Sequence, residues 1–362
     1  MSNNTHHEAP EAVRVLVTGG SGFLGGHIVT QLSEDPSIHI AILSRHPMAP
    51  SSLANHSRIS LHSADLAIEA DVKAAFETIK PHAVIHTASP SYLDTTATLL
   101  RSNVDGTKAL LQVSVACPET RAFVFTSSDS AVVPTQEPLT ENDAKLYDET
   151  NAPNTYSLTK AVAERMVLAE NSAQLHTAVI RIPAIYGEND GNFIPQLVLS
   201  IRKREHKMQV GSNTKVFEFL YVNKAAEAHI LAMRTLLDPD SAPKAAGEAF
   251  FISDSKPEPF FDFARRCYAA AGHPVAPEEV TAIPLPAMQA MASVGEWVIK
   301  ILTLGTVTPT LRRIGIDHLD TGCCWSLEKA KSQLGYEPVT DQDEAIKKTM
   351  EWGMAKLYGG SQ

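Results

Sequence analysis

A glycine-rich turn near the N-terminus constrains the fold more than any other feature. It has the sequence Thr18-Gly19-Gly20-Ser21-Gly22-Phe23-Leu24-Gly25, follows the apolar residues 13–17 and precedes the helix-like residues 27–32. Glycines let a backbone turn tightly and approach a pyrophosphate, while a helix N-terminus supplies free N–H donors and a partial positive charge. The turn therefore predicts a dinucleotide site at Gly19, Ser21, Gly22, Phe23, Leu24 and Gly25. A purely structural turn is the alternative.

The first half of the chain alternates short β-branched runs with helix-like segments. Strands are expected at residues 13–17, 38–43, 59–62, 83–86, 122–125 and 177–182. Such alternation is typical of a parallel sheet wrapped by helices, which binds ligands outside the carboxyl ends of its strands. We therefore predict an α/β fold with a Rossmann-type doubly wound parallel sheet and a smaller, discontinuous C-terminal substrate lobe.

The predicted domain boundaries follow from where this alternation fades. The Rossmann domain is expected over residues 12–187, and the substrate lobe mainly over residues 188–362. Segments near residues 217–235 and 247–254 are expected to return to the Rossmann domain. Residues 1–11, which are polar, are expected to form a disordered tail.

Charge and composition argue against several classes of protein. The 362 residues carry a formal net charge of -10, so no global positive field exists to collect phosphate backbones, and nucleic acid is not expected as a partner. The four cysteines show neither C-x-x-C spacing nor a His/Cys cluster, so neither a metal site nor a disulfide framework is predicted. The N-terminus lacks the apolar core of a secretory signal, and we expect a cytoplasmic protein.

The residues after the second strand bear on the choice of cofactor. An acidic side chain there would accept hydrogen bonds from the ribose hydroxyls, but the strand ends in Ser44 and Arg45. A hydroxyl followed by a guanidinium can hold a 2′-phosphate, so NADP(H) is favoured over NAD(H). The alternative is an exposed Arg45 that contacts nothing. Asp65 and Leu66, after the third strand, are expected to meet the adenine ring, although Asp65 would equally serve as a helix cap.

A Tyr and a Lys one helical turn apart form the candidate catalytic pair. The i, i+4 spacing of Tyr156 and Lys160 places both side chains on one helix face. A Lys ammonium and a positively charged nicotinamide ring favour the phenolate, which tunes Tyr156 toward proton transfer. Ser128, after a middle strand, is the expected hydroxyl that orients a substrate oxygen, with Ser127 as the substitute. The alternative is a serine-rich turn and an ordinary surface Tyr–Lys pair.

These residues resemble the extended short-chain dehydrogenase/reductase superfamily over residues 13–352. The resemblance implies a catalytic set of Tyr156, Lys160 and Ser128. It implies further cofactor contacts at Thr87, Ala88, Ser89, Lys160 and Pro183, and substrate contacts at Ser89, Pro90, Tyr92, Asp129, Tyr186 and Phe193. The segment from Arg181 to Gly187 reads R-I-P-A-I-Y-G instead of R-P-x-x-I-Y-G, so Pro183 is shifted by one position.

Within this superfamily the chain is most similar to the 3β-hydroxysteroid dehydrogenase branch, and there to sterol-4α-carboxylate 3-dehydrogenases. The similarity lies in residues 17–25, 86–90, 217–222 and 247–261, together with Ala228-His229. It implies NAD(P)-dependent interconversion of a secondary alcohol and a ketone on a lipophilic sterol-like or triterpenoid substrate, in which a 3β-hydroxy-4-carboxylate would be oxidised with decarboxylation. The sequence departs from the branch in having no acidic residue after the second strand and a shorter hydrophobic segment at residues 282–304.

Those departures keep other functions open. One alternative is an NADPH-dependent ketoreductase of a polyketide or other natural-product pathway, which Ser44 and Arg45 favour. Another is a non-catalytic dinucleotide-sensing regulator, which would have no need of Tyr156 and Lys160. Nucleotide-sugar epimerisation is disfavoured because the second lobe has no evident diphosphate-binding set.

The apolar residues 282–304 predict an amphipathic helix and not a membrane span. Gln289, Glu296 and Lys300 interrupt the stretch, whereas a span needs roughly 18 or more nearly uninterrupted apolar residues. We expect the helix to cap an apolar pocket, or alternatively to make peripheral contact with an intracellular membrane through residues 285–304. The resemblance also suggests a homodimer built by helix pairing.

Overall fold

The fold is described for residues 12–302 and 312–358 of a computed structural model. The predicted tail at residues 1–11 and the end of the predicted membrane-contact segment, residues 303 and 304, lie outside the described residues. The strands are β1 Val13–Thr18, β2 Ile38–Ser44, β3 Ile59–Ser63, β4 Ala83–His86, β5 Ala122–Ser128, β6 His176–Ile182, β7 Ala184–Tyr186, β8 Met208–Val210, β9 Val216–Phe217, β10 Phe219–Tyr221, β11 Glu248–Phe251, β12 Glu258–Pro259 and β13 Thr281–Ile283. The helices are α1 Phe23–Ser33, α2 Glu69–Ile79, α3 Thr96–Leu99, α4 Thr107–Ala116, α5 Thr155–Ala169, α6 Phe193–Arg202, α7 Val222–Leu237, α8 Phe260–Ala270, α9 Leu285–Leu302, α10 Arg313–His318 and α11 Gln342–Gly353.

Seven strands form one parallel sheet in the order β11-β6-β5-β4-β1-β2-β3. The direction of strand succession reverses between β1 and β4, and ligands bind at such a switch point, outside the carboxyl ends of the strands. This arrangement confirms the predicted Rossmann-type fold. It also brings the ends of β1, β4 and β5 to one edge of the sheet.

The central strands are mainly apolar because helices cover both faces of the sheet. Side chains alternate between faces, so Val15 and Val17 join one core cluster while Leu16 joins the other. Ile28 of α1 covers the first face and Phe76 of α2 covers the second. Full burial of such a side chain contributes about 1.5–3 kcal/mol, so both layers hold the sheet in place.

The chain beyond residue 187 divides between the sheet and a smaller lobe. β11 pairs with β6 at the edge of the sheet, and α7 supplies Ala226 and Met233 to the first core cluster. β10 does not join the sheet but pairs with β7 in a separate two-stranded ladder. The division into a Rossmann domain and a discontinuous substrate lobe at residue 187 stays our proposal.

Residues 12–302 and 312–358 contain neither a membrane-spanning helix nor a cluster of metal-binding side chains. None of their helices is long and apolar enough to cross a bilayer. None of their His, Cys, Asp and Glu side chains form a group of three or more that could hold a metal ion.

Candidate active site

The glycine-rich turn joins β1 to α1 at the switch point of the sheet. Gly22 N donates to Gly19 O at 2.8 Å, and Gly19 has a φ of +72°, which favours glycine. A Cβ at Gly25 would lie 2.1 Å from Gly19 O, and one at Gly19 would lie 2.7 Å from Thr87 Oγ1. Side chains are therefore excluded where a pyrophosphate would approach the backbone, which is the cradle that a dinucleotide requires.

The other predicted residues of the turn contribute in different ways. Ser21 Oγ accepts a hydrogen bond from Met48 N at 2.8 Å and so ties the turn to the loop after β2. Leu24 is buried in the core, and Phe23 packs edge-on against His27 with ring centroids 5.8 Å apart. Leu24 thus presents only its backbone to a phosphate.

The end of β2 carries an unsatisfied polar atom. Ser44 Oγ is buried and has no hydrogen-bond partner among the described residues, whereas Arg45 is exposed. A buried hydroxyl without a partner costs about 1–3 kcal/mol, which a ligand hydroxyl or phosphate oxygen at this position would remove. These two residues therefore fit the adenosine side of a dinucleotide.

Asp65 is held by Arg101, a residue that the sequence analysis missed. Arg101 Nη1 donates to Asp65 Oδ1 at 2.9 Å and to Oδ2 at 3.0 Å, and the same hydrogen bonds hold the pKa of Asp65 below its usual range. The predicted capping role of Asp65 is wrong, because Ile68 is the N-cap residue of α2. Leu66 packs on the second core cluster, beside Gly106.

The residues after β4 are tied to β1 and to the helix that follows. Thr87 Oγ1 donates to Thr18 O at 2.8 Å, and Ala88 N lies 3.5 Å from Thr18 Oγ1. Ser89 Oγ donates to Asn103 Oδ1 at 3.0 Å. Asn103 belongs to a π-helical stretch, Leu100–Gly106, and such stretches are frequent at functional sites. On the other side of the sheet's edge, Pro183 is buried between β6 and β7.

Tyr156 and Ser128 meet at the carboxyl end of β5. The strand continues to Ser128, and α5 begins at Thr155 with Asn154 Oδ1 capping Ser157 N at 2.9 Å. Burial raises the pKa of Tyr156 to about 12, and a hydrogen bond to Ser128 opposes that rise. The protein's own groups thus shift this pKa in the direction opposite to the prediction, because burial outweighs the hydrogen bond.

Lys160 is buried behind this pair. Its Nζ donates to Thr126 O at 2.6 Å and lies 4.6 Å from the centroid of the Phe125 ring. Burial lowers the pKa of Lys160 to about 7, while the nearby Glu164 raises it. Lys160 is therefore fixed at the end of β5 by a backbone carbonyl.

The two neighbouring serines have different partners. Ser127 Oγ donates to Glu164 Oε2 at 2.6 Å, and Glu164 forms a buried ion pair with Arg181 at 2.6 Å. Ser128 is left at the cleft beside Tyr156. The sequence analysis missed Glu164 and its role, although Glu164 follows Lys160 by one helical turn on α5.

Residues from distant parts of the chain meet beside Tyr156, where substrate contacts are predicted. The Tyr92 ring packs edge-on against the Tyr156 ring with centroids 6.4 Å apart. Arg312 Nη1 donates to Leu93 O at 2.8 Å, and the Arg312 charge lowers the pKa of Tyr92, which burial raises. Arg312 therefore brings a cation close to the candidate catalytic pair, and no sequence motif pointed to it.

One predicted substrate contact is wrong, and another lies in an aromatic cluster. Tyr186 is 0% exposed, and its hydroxyl donates to Asp254 Oδ2 at 2.8 Å, so it supports the core and cannot reach a substrate. Phe193 is partly buried and stacks on Phe219 and Phe263 at centroid distances of 6.3 and 6.1 Å.

A sheet of this order, with a glycine-rich turn at its switch point and Tyr, Lys and Ser at the adjoining strand end, defines an extended short-chain dehydrogenase/reductase. A sequence model of the 3-beta hydroxysteroid dehydrogenase/isomerase family matches residues 16–285. The chain belongs to that family, and it is an oxidoreductase acting on CH–OH groups with a nicotinamide cofactor.

Curated relatives agree with this assignment, and solved structures share the fold. The chain is 65% identical over 292 residues to the decarboxylating sterol-4-alpha-carboxylate 3-dehydrogenase of Gibberella zeae, covering 80% of this chain and 96% of that protein. It is 33% identical over 340 residues to the enzyme of the same name from Schizosaccharomyces pombe, covering 93% and 96%. Two solved structures share the fold. One is UDP-glucose 4-epimerase of Thermotoga maritima, with a TM-score of 0.70 and 19% identity, covering 95% of this chain and 100% of that one. The other is dTDP-glucose 4,6-dehydratase of Bacillus anthracis in complex with NAD, with a TM-score of 0.71 and 18% identity, covering 96% of this chain and 98% of that one.

Proposed function

We propose that the protein oxidises the 3β-hydroxyl of a lipophilic, sterol-like or triterpenoid 4α-carboxylic acid, and that the resulting 3-keto acid loses carbon dioxide. The observation that carries the proposal is the position of Tyr156 beside Ser128 at the end of β5, next to the glycine-rich turn. The 65% identity to a sterol-4-alpha-carboxylate 3-dehydrogenase supports the substrate class.

In the proposed mechanism the Tyr156 phenolate accepts the proton of the substrate hydroxyl, and Ser128 orients the oxygen of that hydroxyl. A bound nicotinamide cofactor would supply hydride acceptance from the carbinol carbon, and its positive charge would favour the Tyr156 phenolate. Lys160, held on Thr126 O at 2.6 Å, fixes the position of α5 against β5. The Thr126 hydroxyl is hydrogen-bonded to His229 Nε2 at 2.8 Å, and this hydrogen bond is buried.

Arg312 is the residue that we propose meets the substrate carboxylate. It lies beside Tyr92, next to the candidate catalytic Tyr156, and Glu296 stands 4.0 Å from its Nε. A charged hydrogen bond of this kind contributes about 1.5–3 kcal/mol, so Arg312→Ala is expected to lower kcat/KM for sterol acids about tenfold or more and to leave neutral 3β-alcohols much less affected. Arg313→Ala is the matched control, since Arg313 instead donates to Asp317 and Ser293. An equal loss on acids and neutral alcohols would contradict the role.

We propose NADP(H) as the preferred cofactor. Its 2′-phosphate would lie at Ser44 and the exposed Arg45, and its adenine near Asp65 and Leu66. The unpartnered Ser44 Oγ supports this placement. Nicotinamide contacts are proposed at Thr87, Ala88, Ser89 and Pro183.

We also propose that α9 rests on a membrane surface. The side of α9 that faces the protein buries Met288 and Ala292 and also carries polar groups, since Gln289 Nε2 donates to Asp317 Oδ1 at 2.9 Å and Glu296 Oε1 accepts from Arg313 N at 2.9 Å. The outward side of α9 is apolar, with Val294 63% and Trp297 69% exposed. This orientation supports the membrane alternative over a pocket cap. Sedimentation with neutral phosphatidylcholine vesicles tests it, and light scattering tests whether a homodimer covers the same face.

A substrate panel tests the proposed reaction. The protein would be incubated with NAD(P)⁺ and 3β-hydroxysterols with or without a 4α-carboxyl group, and with NADPH and polyketide ketones. Nicotinamide absorbance would report hydride transfer, and a carbon dioxide assay would report decarboxylation. We expect turnover with carbon dioxide release from the sterol acids. Turnover only on ketones would support the ketoreductase instead, and cofactor binding without any turnover would support the dinucleotide-sensing regulator.

A further inference from the structure

Asp129 places a carboxyl group beside Ser128, and this group has no role in the proposed hydride transfer. It follows Ser128 directly and begins a short 3₁₀ turn, Asp129–Ala131. Its Oδ1 accepts from Ser128 Oγ at 3.3 Å, and its Oδ2 accepts from Cys323 Sγ at 3.3 Å. The carboxyl group therefore lies between the hydroxyl that would hold the substrate oxygen and the C-terminal part of the chain.

Asp129 shares the cleft with Tyr156 and His318. Its charge contributes to the raised pKa of Tyr156, and burial raises the pKa of Asp129 itself while His318 lowers it. His318, at the end of α10, retains an exposed surface although burial lowers the pKa of its imidazole. The His318 ring packs on Phe217 with centroids 5.2 Å apart.

We infer that Asp129 protonates the carbon that loses carbon dioxide. This role of Asp129 rests on the proposed function. After the 3-hydroxyl has been oxidised, the bond between C4 and the carboxylate breaks, and its electron pair forms the C3–C4 double bond of an enolate. C4 then takes a proton from the Asp129 carboxyl, the enolate collapses to the ketone, and the Asp129 carboxylate regains a proton from solvent.

The geometry favours Asp129 over Tyr156 for this second proton. Tyr156 and Ser128 would both be bonded to the substrate oxygen, whereas C4 is the neighbouring carbon and needs a donor beside that pair. Asp129 is the next residue after Ser128, and its Oδ1 lies 3.3 Å from Ser128 Oγ. A protonated Asp129 also avoids placing a second negative charge beside the substrate carboxylate.

Hydrogen exchange in D₂O tests the inference without requiring decarboxylation. The protein would be incubated with NAD(P)⁺ and a 3-ketosteroid lacking the 4-carboxyl group, and NMR would follow deuterium entering C4. We expect the wild-type protein to exchange one of the two C4 hydrogens, and Asp129→Asn to slow that exchange about 100-fold or more. Glu218→Gln is the control, because Glu218 is another carboxyl group with 2% exposure, and its Oε1 accepts from Cys324 Sγ at 3.9 Å instead of from Ser128. Circular dichroism would check that both variants are folded.

The outcomes separate this inference from the proposed function. Loss of exchange in Asp129→Asn with retention in Glu218→Gln supports the role of Asp129. Equal exchange in Asp129→Asn and wild type overturns it, as does absence of exchange in the wild type, even if the sterol acids are oxidised and decarboxylated. Exchange that depends on Asp129 without turnover of sterol acids would refute the proposed substrate while keeping Asp129 as an acid for the carbon next to a ketone.

Discussion

The glycine-rich turn on the candidate cofactor side is built from neighbouring residues, whereas the candidate substrate side joins residues that are far apart in the chain. The glycine-rich turn lies directly between β1 and α1, and its Gly22–Gly19 hydrogen bond is local. On the candidate substrate side, Arg312 donates a hydrogen bond to the Leu93 carbonyl oxygen, and the Cys323 thiol donates one to Asp129. Cofactor binding and substrate choice should therefore respond to different mutations, and variants can test how far the two sides are independent.

The largest effect is expected from Tyr156→Phe. Removing the hydroxyl deletes the proton-transfer group, so turnover should fall about 10³-fold or more while cofactor affinity is retained. Steady-state kinetics and a fluorescence titration of the cofactor would measure the two properties. Tyr147→Phe is the control, since Tyr147 is partly buried outside the site. Residual activity near the control level would show that another group transfers the proton.

The two serines at the end of β5 should separate catalysis from stability. Ser128→Ala is expected to lower kcat about 100-fold, because the group that orients the substrate oxygen is lost. Ser127→Ala should leave kcat nearly unchanged and lower the free energy of unfolding by about 1–3 kcal/mol, because Glu164 loses a buried hydrogen bond. Urea denaturation with parallel kinetics would measure both. The reverse pattern would exchange the roles of the two residues.

A single methyl group added to the glycine-rich turn should lower the affinity for the cofactor alone. In Gly25→Ala the new Cβ would lie 2.1 Å from Gly19 O, so the turn must shift, and we expect cofactor affinity to fall about 10- to 100-fold. Gly26→Ala is the matched control, because its Cβ would be 3.9 Å from Gly20 O. Calorimetric titration with NADP⁺ would compare them. Equal affinities would refute the placement of the pyrophosphate at this turn.

The smallest effect is expected at the adenosine end of the same side. Arg45→Asp should shift the ratio of kcat/KM for NADP⁺ and NAD⁺ toward NAD⁺ about tenfold, because a charge-assisted hydrogen bond to the 2′-phosphate becomes a repulsion. Arg121→Asp, an exposed change at the opposite end of the sheet, serves as the control. An unchanged ratio would remove Arg45 from the proposed phosphate site.

The sequence predicted the fold and the candidate pair because both depend on short, periodic patterns. Strands that are buried on both faces leave continuous apolar runs, and the Tyr156–Lys160 spacing is one turn of a helix. Side-chain partners leave no such trace. Thus Arg101 holding Asp65, Arg312 beside Tyr92 and Tyr186 turned into the core became visible only in three dimensions.

The solvent-facing side of α9 was equally beyond the reach of the sequence. Its periodicity predicted an amphipathic helix, but periodicity alone does not say which side contacts the protein. Here the side that carries Gln289 and Glu296 does, because Asp317 and Arg313 of α10 offer it hydrogen bonds.

The pairing of β11 with β6 has a consequence for biosynthesis. Residues 183–247 must leave the ribosome before residues 248–251 can cover the open edge of β6, which takes several seconds at about 5–20 residues per second. During that interval the nascent chain exposes unpaired backbone groups of an apolar strand, a template for association with other chains. A chain cut after residue 187 would keep that exposed edge permanently.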